Sequence, residues 1–159
     1  MLPEEVTKFI GQPTGTATYA VEKGAIARFA EAVGDPNPIY WDEEYAKKSK
    51  YRSIIAPPGF FGWPVRRPRS AEGPEAIAGM RGGPNLAAAG YPRVLDGGTE
   101  YDFIKPIKAG DTLTAESVIK DIVEREGRTG KMVFLIRETT YTNQKGEVVA
   151  RARGTSIHR

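Results

Sequence analysis

The side chains best suited to chemistry lie in one short segment, residues 29–40, which reads FAEAVGDPNPIY. Asp35 supplies a carboxylate, Asn37 an amide and Tyr40, five residues after Asp35, a phenol. A carboxylate close to a second titratable group is a common arrangement for moving protons. Pro36 and Pro38 each fix φ and lack an N–H donor, so the segment is predicted to form a stiff turn.

A second turn, Pro57-Pro58-Gly59, precedes the apolar run 60–65, which predicts the start of a buried helix. N–H groups in the first turn of a helix have no intrahelical acceptor and favour negative charge. Such donors can stabilise an enolate oxygen as it forms. Gly59 is therefore a candidate donor, and Phe60 and Trp63 are candidates for lining an apolar pocket.

Imidazole and thiol chemistry is nearly absent from the chain. It has no cysteine, and its only histidine is the penultimate residue, His158, which we expect to be solvated or disordered. Disulfides, thiolate metal sites and cysteine nucleophiles are thus excluded, and no metal site is predicted. Tyrosine titrates near pH 10, so an unperturbed Tyr40 is a poor base at pH 7.

Charge and hydropathy exclude two further classes. The net charge of +3 is mild, and the basic residues are interspersed with acids except at Arg66, Arg67 and Arg69. A nucleic-acid-binding protein usually has a stronger basic face, so none is expected. No apolar run approaches the roughly 20 residues of a membrane helix, and no export signal is evident, which predicts a cytoplasmic protein.

The elements that position these residues form a helical first part and a strand-rich second part, predicted as one α+β domain over residues 1–159. A strand is expected at 14–21 and a helix at 23–33 that ends at Gly34. Asp42 is a good N-cap for a short second helix. Residues 68–92 are rich in glycine and proline and are predicted to be a flexible loop or insertion, with one possible helical turn at 85–89.

The remainder predicts an antiparallel sheet, with strands at 98–104, 112–125, 131–142 and 147–157. On the last strand, Ala150, Ala152 and Gly154 share one face, which permits the close approach of a helix. Long strands wrapped around one central apolar helix form a hot-dog architecture.

The order and spacing of these motifs resemble the MaoC-like (R)-specific enoyl-thioester hydratases and dehydratases, which have the hot-dog fold. The resemblance covers nearly the whole chain, including residues 95–104 and the Ala109-Gly110-Asp111 turn. It implies that the family's catalytic aspartate falls on Asp35, its catalytic histidine on Tyr40, and the glycine that binds the thioester oxygen on Gly59.

Tyr40 departs from the family pattern, because proton transfer there uses an imidazole with a pKa near neutrality. The sequence resembles the N-terminal, non-catalytic half of such enzymes, the FAS1-like dehydratase domain. The segment APPGF, residues 56–60, also matches that half better than the catalytic one. The resemblance implies a hydro-lyase subunit of fatty acid or steroid metabolism that shapes the acyl tunnel beside a histidine-bearing partner. Such a subunit would be weak or inactive alone. It would need no cofactor, because coenzyme A or acyl carrier protein carries the substrate.

Two other functions remain open: a homodimeric enoyl-CoA hydratase that uses Asp35 with water or Tyr40, and an acyl-CoA-binding module without chemistry. A thioesterase is less favoured, because no acidic residue is evident on the apolar helix.

Each candidate residue also has a simpler, structural interpretation. Asp35 and Asn37 suit a turn, Tyr40 and Trp41 suit packing, and Phe60 and Trp63 suit a core or dimer contact. Arg66 could bind coenzyme A phosphates or lie in a solvated basic loop.

Overall fold

The computed structural model describes residues 2–64, 82–128 and 130–159. The helices are α1 (Glu4–Thr7), α2 (Lys23–Ala32) and α3 (Glu43–Lys48), with a 3₁₀ turn at Pro38–Tyr40. The strands are β1 (Pro13–Ala20), β2 (Trp63–Pro64), β3 (Val94–Phe103), β4 (Thr112–Gly127), β5 (Gly130–Thr142) and β6 (Val148–His158). They form one antiparallel sheet in the order β2-β1-β4-β5-β6-β3. The α+β prediction and its main strands are confirmed.

The local signals around α2 and α3 act as predicted. Gly34 follows the end of α2 with φ of +72°, the left-handed conformation that glycine adopts without a steric penalty. The Asp42 carboxylate accepts a hydrogen bond of 3.0 Å from the Tyr45 N–H and so caps α3. Both helix boundaries therefore follow from short-range chemistry.

The predicted helix at 60–65 is wrong as far as the described residues reach, up to Pro64. Residues 60–62 are irregular, and β2 pairs with β1 in the register Trp63↔Ala20. Gly59 and Gly62 both have φ of +88°, which a right-handed helix does not allow. A β-carbon on Gly62 would lie 2.6 Å from the Ala20 carbonyl oxygen, so glycine is required where the chain passes β1.

Two groups of buried side chains lie on one face of the sheet, termed the inner face. The first core cluster joins α2, the loops after it and one end of the sheet: Val21, Ala25, Ile26, Ala30, Ile39, Tyr40, Ala46, Ile54, Phe60, Ile107, Leu113 and Val149. The second core cluster lies near α1: Val6, Leu86, Ile119, Ile122, Val133 and Leu135. The middle of the sheet therefore separates two apolar ends.

The predicted loop at 68–92 is described only from residue 82 onward, and 68–81 lie outside the described residues. In the described part, Leu86 is 2% exposed and belongs to the second core cluster. The Ala89 N–H donates to the Asn85 carbonyl oxygen at 3.2 Å, a single helix-like hydrogen bond. Residues 82–92 thus contribute to the core.

Among the described helices, none has the length and apolar character needed to cross a bilayer.

Candidate functional site

Asp35 and Asn37 lie in the turn that follows α2, and both side chains hydrogen-bond to that turn. Asp35 Oδ1 accepts from the Asn37 N–H at 3.1 Å, and Asn37 Oδ1 accepts from the Ile39 N–H at 3.1 Å. The second bond caps the 3₁₀ turn at Pro38–Tyr40. Asp35 is half-buried and Asn37 is exposed. Each residue therefore has a clear structural role, whatever else it contacts.

Tyr40 lies inside the first core cluster with 7% of its surface exposed. Burial raises the pKa of its phenol, and the charge and hydrogen bonding of Asp35, followed by nearby Tyr51, raise it further. The phenol is therefore neutral at physiological pH and is unable to act as a base. The structure brings Asp35 and Tyr40 together.

Gly59 lies in the turn before β2 and not at a helix terminus, so the helical reason for expecting a donor there does not hold. Its N–H nevertheless makes no backbone hydrogen bond to any residue that the structure describes. A β-carbon at Gly59 would lie 4.0 Å from Phe29 Cζ, and φ is +88°. Since no described backbone group accepts from it, this N–H is a candidate donor to a ligand oxygen.

Phe60 and Trp63 have different surroundings. Phe60 is 4% exposed and its ring centroid lies 5.3 Å from that of Phe29 and 6.0 Å from that of Trp63. Trp63 is 53% exposed on β2. Phe60 is a core residue, whereas Trp63 presents a large exposed apolar surface next to the Phe60 ring. Arg66 lies outside the described residues, as do Arg67 and Arg69.

A group of four rings next to this turn was not predicted. Phe61 stacks on Tyr141 of β5, with centroids 4.2 Å apart, and packs against Tyr101 and Phe103 of β3 at 5.5 and 6.1 Å. These four residues are termed the aromatic cluster. The i, i+2 spacing of Tyr101 and Phe103 on a predicted strand was a usable signal, since it places both on one face.

The expectation that His158 is solvated or disordered is wrong. It is half-buried in β6, pairs in register with Val133, and its Nε2 lies 3.0 Å from the Ser156 hydroxyl. Burial lowers its pKa. His158 lies about 30 Å along β6 from Val149 of the first core cluster, so it belongs to the other end of the sheet. The structure gives Asp35 no histidine from the described part of the chain.

Sequence comparison places this site in a family context. Residues 8–152 match the family model described as "FAS1-like, dehydratase domain region". A UPF0336 protein of Streptomyces avermitilis is 38% identical over 112 residues, covering 70% of this chain and 69% of its own. A probable enoyl-CoA hydratase alpha subunit of Thermomonospora curvata is 32% identical over 132 residues, 80% of this chain. This chain spans only 41% of that second relative.

Structural comparison confirms the hot-dog fold. A MaoC-like dehydratase from Rhodospirillum rubrum aligns with a TM-score of 0.65 and 23% identity, over 99% of this chain and 96% of that one. The HadBC (3R-hydroxyacyl-ACP dehydratase) complex of Mycobacterium tuberculosis gives a TM-score of 0.65 and 22% identity, over 94% of this chain and 96% of that one. At these identities the likeness concerns the fold alone.

Proposed function

Because this chain belongs to the FAS1-like dehydratase domain family, with a MaoC-like hot-dog fold, we propose that it is one subunit of an acyl-thioester dehydratase or hydratase. In this proposal it is the non-catalytic half, which shapes the acyl-binding tunnel while a histidine-bearing hot-dog partner performs proton transfer. Coenzyme A or acyl carrier protein carries the substrate.

The observation that carries the proposal is the buried phenol beside Asp35. Hydration of an enoyl thioester requires a base to activate water, and a group with a pKa near the working pH serves best. Tyr40 is neutral, and the described part of the chain offers no imidazole at this turn. Asp35 Oδ1 is already hydrogen-bonded to the Asn37 N–H. In this proposal, the chain therefore retains the turn that carries Asp35 and lacks the imidazole that would act as the base.

Binding of a thioester is supported by the groups that remain. The Gly59 N–H has no acceptor in the described backbone and can donate to the thioester oxygen. Trp63, four residues later in the chain, leaves about half of its surface exposed. A polar donor next to an exposed apolar side chain suits an acyl thioester, whose carbonyl is polar and whose chain is apolar.

Association with a second chain is supported by the edge strand β3, where all ten residues are exposed. Its exposed large side chains include Val94, Leu95, Tyr101 and Phe103, followed by Ile104. A long, apolar and uncovered edge strand promotes unwanted pairing, so natural proteins usually cover it. We propose that the partner covers β3. Two findings agree with such a subunit: one relative is named an alpha subunit, and one structural neighbour is a complex.

The test is an enoyl-CoA hydration assay on the purified chain, alone and after co-expression with a neighbouring gene product that has the Asp-x₄-His pattern. The chain alone should show little turnover, and the complex should be active. Removal of the partner's catalytic histidine should abolish this activity. Robust turnover by the purified single chain would overturn the non-catalytic role. Acyl-CoA binding without turnover in any complex would favour a binding module instead.

A further inference from the structure

The outer face of the sheet, opposite the inner face, carries a row of alternating charges that ends at β3. Glu100 of β3 pairs in register with Arg153 of β6, and Arg153 pairs with Glu138 of β5. Arg153 Nη1 lies 3.7 Å from Glu100 Oε2, and Arg153 Nη2 lies 3.2 Å from Glu138 Oε2. Lys120 Nζ of β4 lies 3.6 Å from Glu138 Oε1. The row therefore alternates in sign across four strands and ends in an anion on β3.

The next row on the outer face ends in the same way. Asp102 of β3 is exposed and pairs in register with the exposed Arg151 of β6. Beyond β3 there is no further strand among those that the structure describes, because β3 is last in the sheet order. The Glu100 side chain accordingly keeps 82% of its surface exposed. Both carboxylates therefore have an arginine strand on one side only and can meet a residue of an added strand on the other.

The acidity is a local property of this edge. β3 contains Asp96, Glu100 and Asp102 and no lysine or arginine, although the whole chain has a net charge of +3. On the inner face of the same strand, Tyr101 and Phe103 present half-exposed rings. Complementary potentials across an interface favour one partner over others. The matching strand would therefore be apolar on its inner face and basic on its outer face.

A second copy of this chain is a poor match for β3. Two copies related by a twofold axis would run β3 antiparallel to itself, and residues directly opposite each other would share a face. With the axis at Tyr101, Glu100 faces Asp102 of the second copy. With the axis at Glu100 or at Asp102, that acid faces its own equivalent. Like charges directly opposite each other are destabilising, and charges on an edge strand oppose pairing between identical copies.

We propose that β3 selects its partner by charge. It pairs with the edge strand of a different protein that carries lysine or arginine opposite Glu100 and Asp102, and it does not pair with a second copy of this chain. This inference rests on the proposed function for the presence of a partner at β3, and it adds the chemistry of the partner's strand. It also disfavours the homodimeric alternative.

The chain itself can supply a basic edge for the test. In the double variant Glu100→Lys with Asp102→Lys, both acids become cations on a strand of the same shape. Wild type and double variant mixed in equal amounts should form a complex roughly tenfold or more tighter than either protein forms alone, because opposite charges replace like charges at two positions. Sedimentation equilibrium of each protein and of the mixture measures this. The preference should shrink in about 1 M sodium chloride, which screens exposed charges.

Two further variants control for net charge and for folding. Glu116→Lys with Glu126→Lys makes the same change of charge at exposed positions of the internal strand β4, and its mixture with the wild type should form no comparable complex. Should the double variant at Glu100 and Asp102 unfold, Glu100→Gln with Asp102→Asn removes the charges without reversing them. This neutral variant should self-associate more strongly than the wild type, and equal self-association would contradict the inference.

Other outcomes separate this inference from the proposed function. A wild-type homodimer that Tyr101→Lys dissociates, or a mixture no more associated than its components, would overturn the inference. The histidine-bearing partner should bind the double variant at least roughly tenfold more weakly than the wild type. An active complex that forms equally well with the double variant would overturn the inference and leave the proposed function standing. Charge-selective association of the mixture, with no enoyl-CoA hydration by any complex, would support the inference and reject the proposed function.

Discussion

At the scale of single residues, the turn after α2 places a carboxylate beside a buried phenol. Asp35 and Asn37 use their oxygens to build the turn, and burial keeps Tyr40 neutral. The turn therefore has a structural role in this chain. Under the proposed function, the corresponding turn of a histidine-bearing partner would carry the chemistry.

Substitution of Tyr40 and Asp35 tests this division of roles. In the active complex, Tyr40→Phe should change kcat by less than about twofold, because a neutral phenol is not the base. Removal of a true acid or base costs roughly 10²–10⁴-fold. Asp35→Asn should be similarly mild, since an amide oxygen can still accept from the Asn37 N–H. Steady-state hydration kinetics measure both. A loss beyond a hundredfold in Asp35→Asn would support a self-sufficient site.

At the scale of elements, β3 combines an uncovered edge with half of the aromatic cluster. Tyr101 and Phe103 are 44% and 50% exposed in the single chain, although both pack against neighbouring rings. Side chains that are ordered on one side and exposed on the other are well suited to an interface. The element therefore connects the candidate site to the surface on which we expect the partner.

Tyr101→Lys should weaken association with the partner by roughly tenfold or more. A charge on an edge strand opposes strand pairing, and the substitution removes an aromatic ring that the partner would bury. Stability of the chain alone should change little, since the ring is already half-exposed. Light scattering after size exclusion measures the complex, and thermal unfolding measures the chain. Glu116→Lys, an exposed change on the internal strand β4, is the matched control. Unchanged association of Tyr101→Lys would exclude β3 as the interface.

At the scale of the whole molecule, residues 82–92 connect to the sheet through a charged network. The Tyr91 hydroxyl donates to Glu124 Oε2 at 2.8 Å, and Lys131 Nζ lies 3.0 Å from Glu124 Oε1. The hydrogen bond from Tyr91, then the one from Lys131, lowers the pKa of Glu124 to about 2. The ionised carboxylate therefore helps to hold this segment against β4.

This network predicts a pH dependence of stability. Because the folded-state pKa of Glu124 is below its ordinary value of 4.5, its contribution is present above about pH 4.5. The contribution should decline as pH falls from 4.5 towards 2. Thermal unfolding of the wild type and Glu124→Gln, measured from pH 7 to pH 2, should show a difference that shrinks over this window. A difference that is constant with pH would contradict the role of the carboxylate charge.

The sequence alone determined the features that depend on near neighbours. Gly34 ends α2, Asp42 caps α3, and alternation along 112–157 defines three long strands, because capping and strand patterning act over a few residues. The motif around Asp35 and Tyr40 also indicated the family, since its order and spacing are local. β3 was predicted to start at residue 98 but starts at Val94, with a bulge between Asp96 and Thr99.

Only the tertiary structure decided what depends on contacts between distant segments. Gly62 is held against Ala20, and this contact converts the expected helix start into β2. His158 joins β6 because β3 and β5 supply pairing partners on both sides. Arg137 comes to lie beside Ile119 and Gly83 only through strand pairing and the packing of residues 82–92. Burial and charge pairing depend on which residues become neighbours in the folded chain, and the order of residues in the sequence does not specify those neighbours.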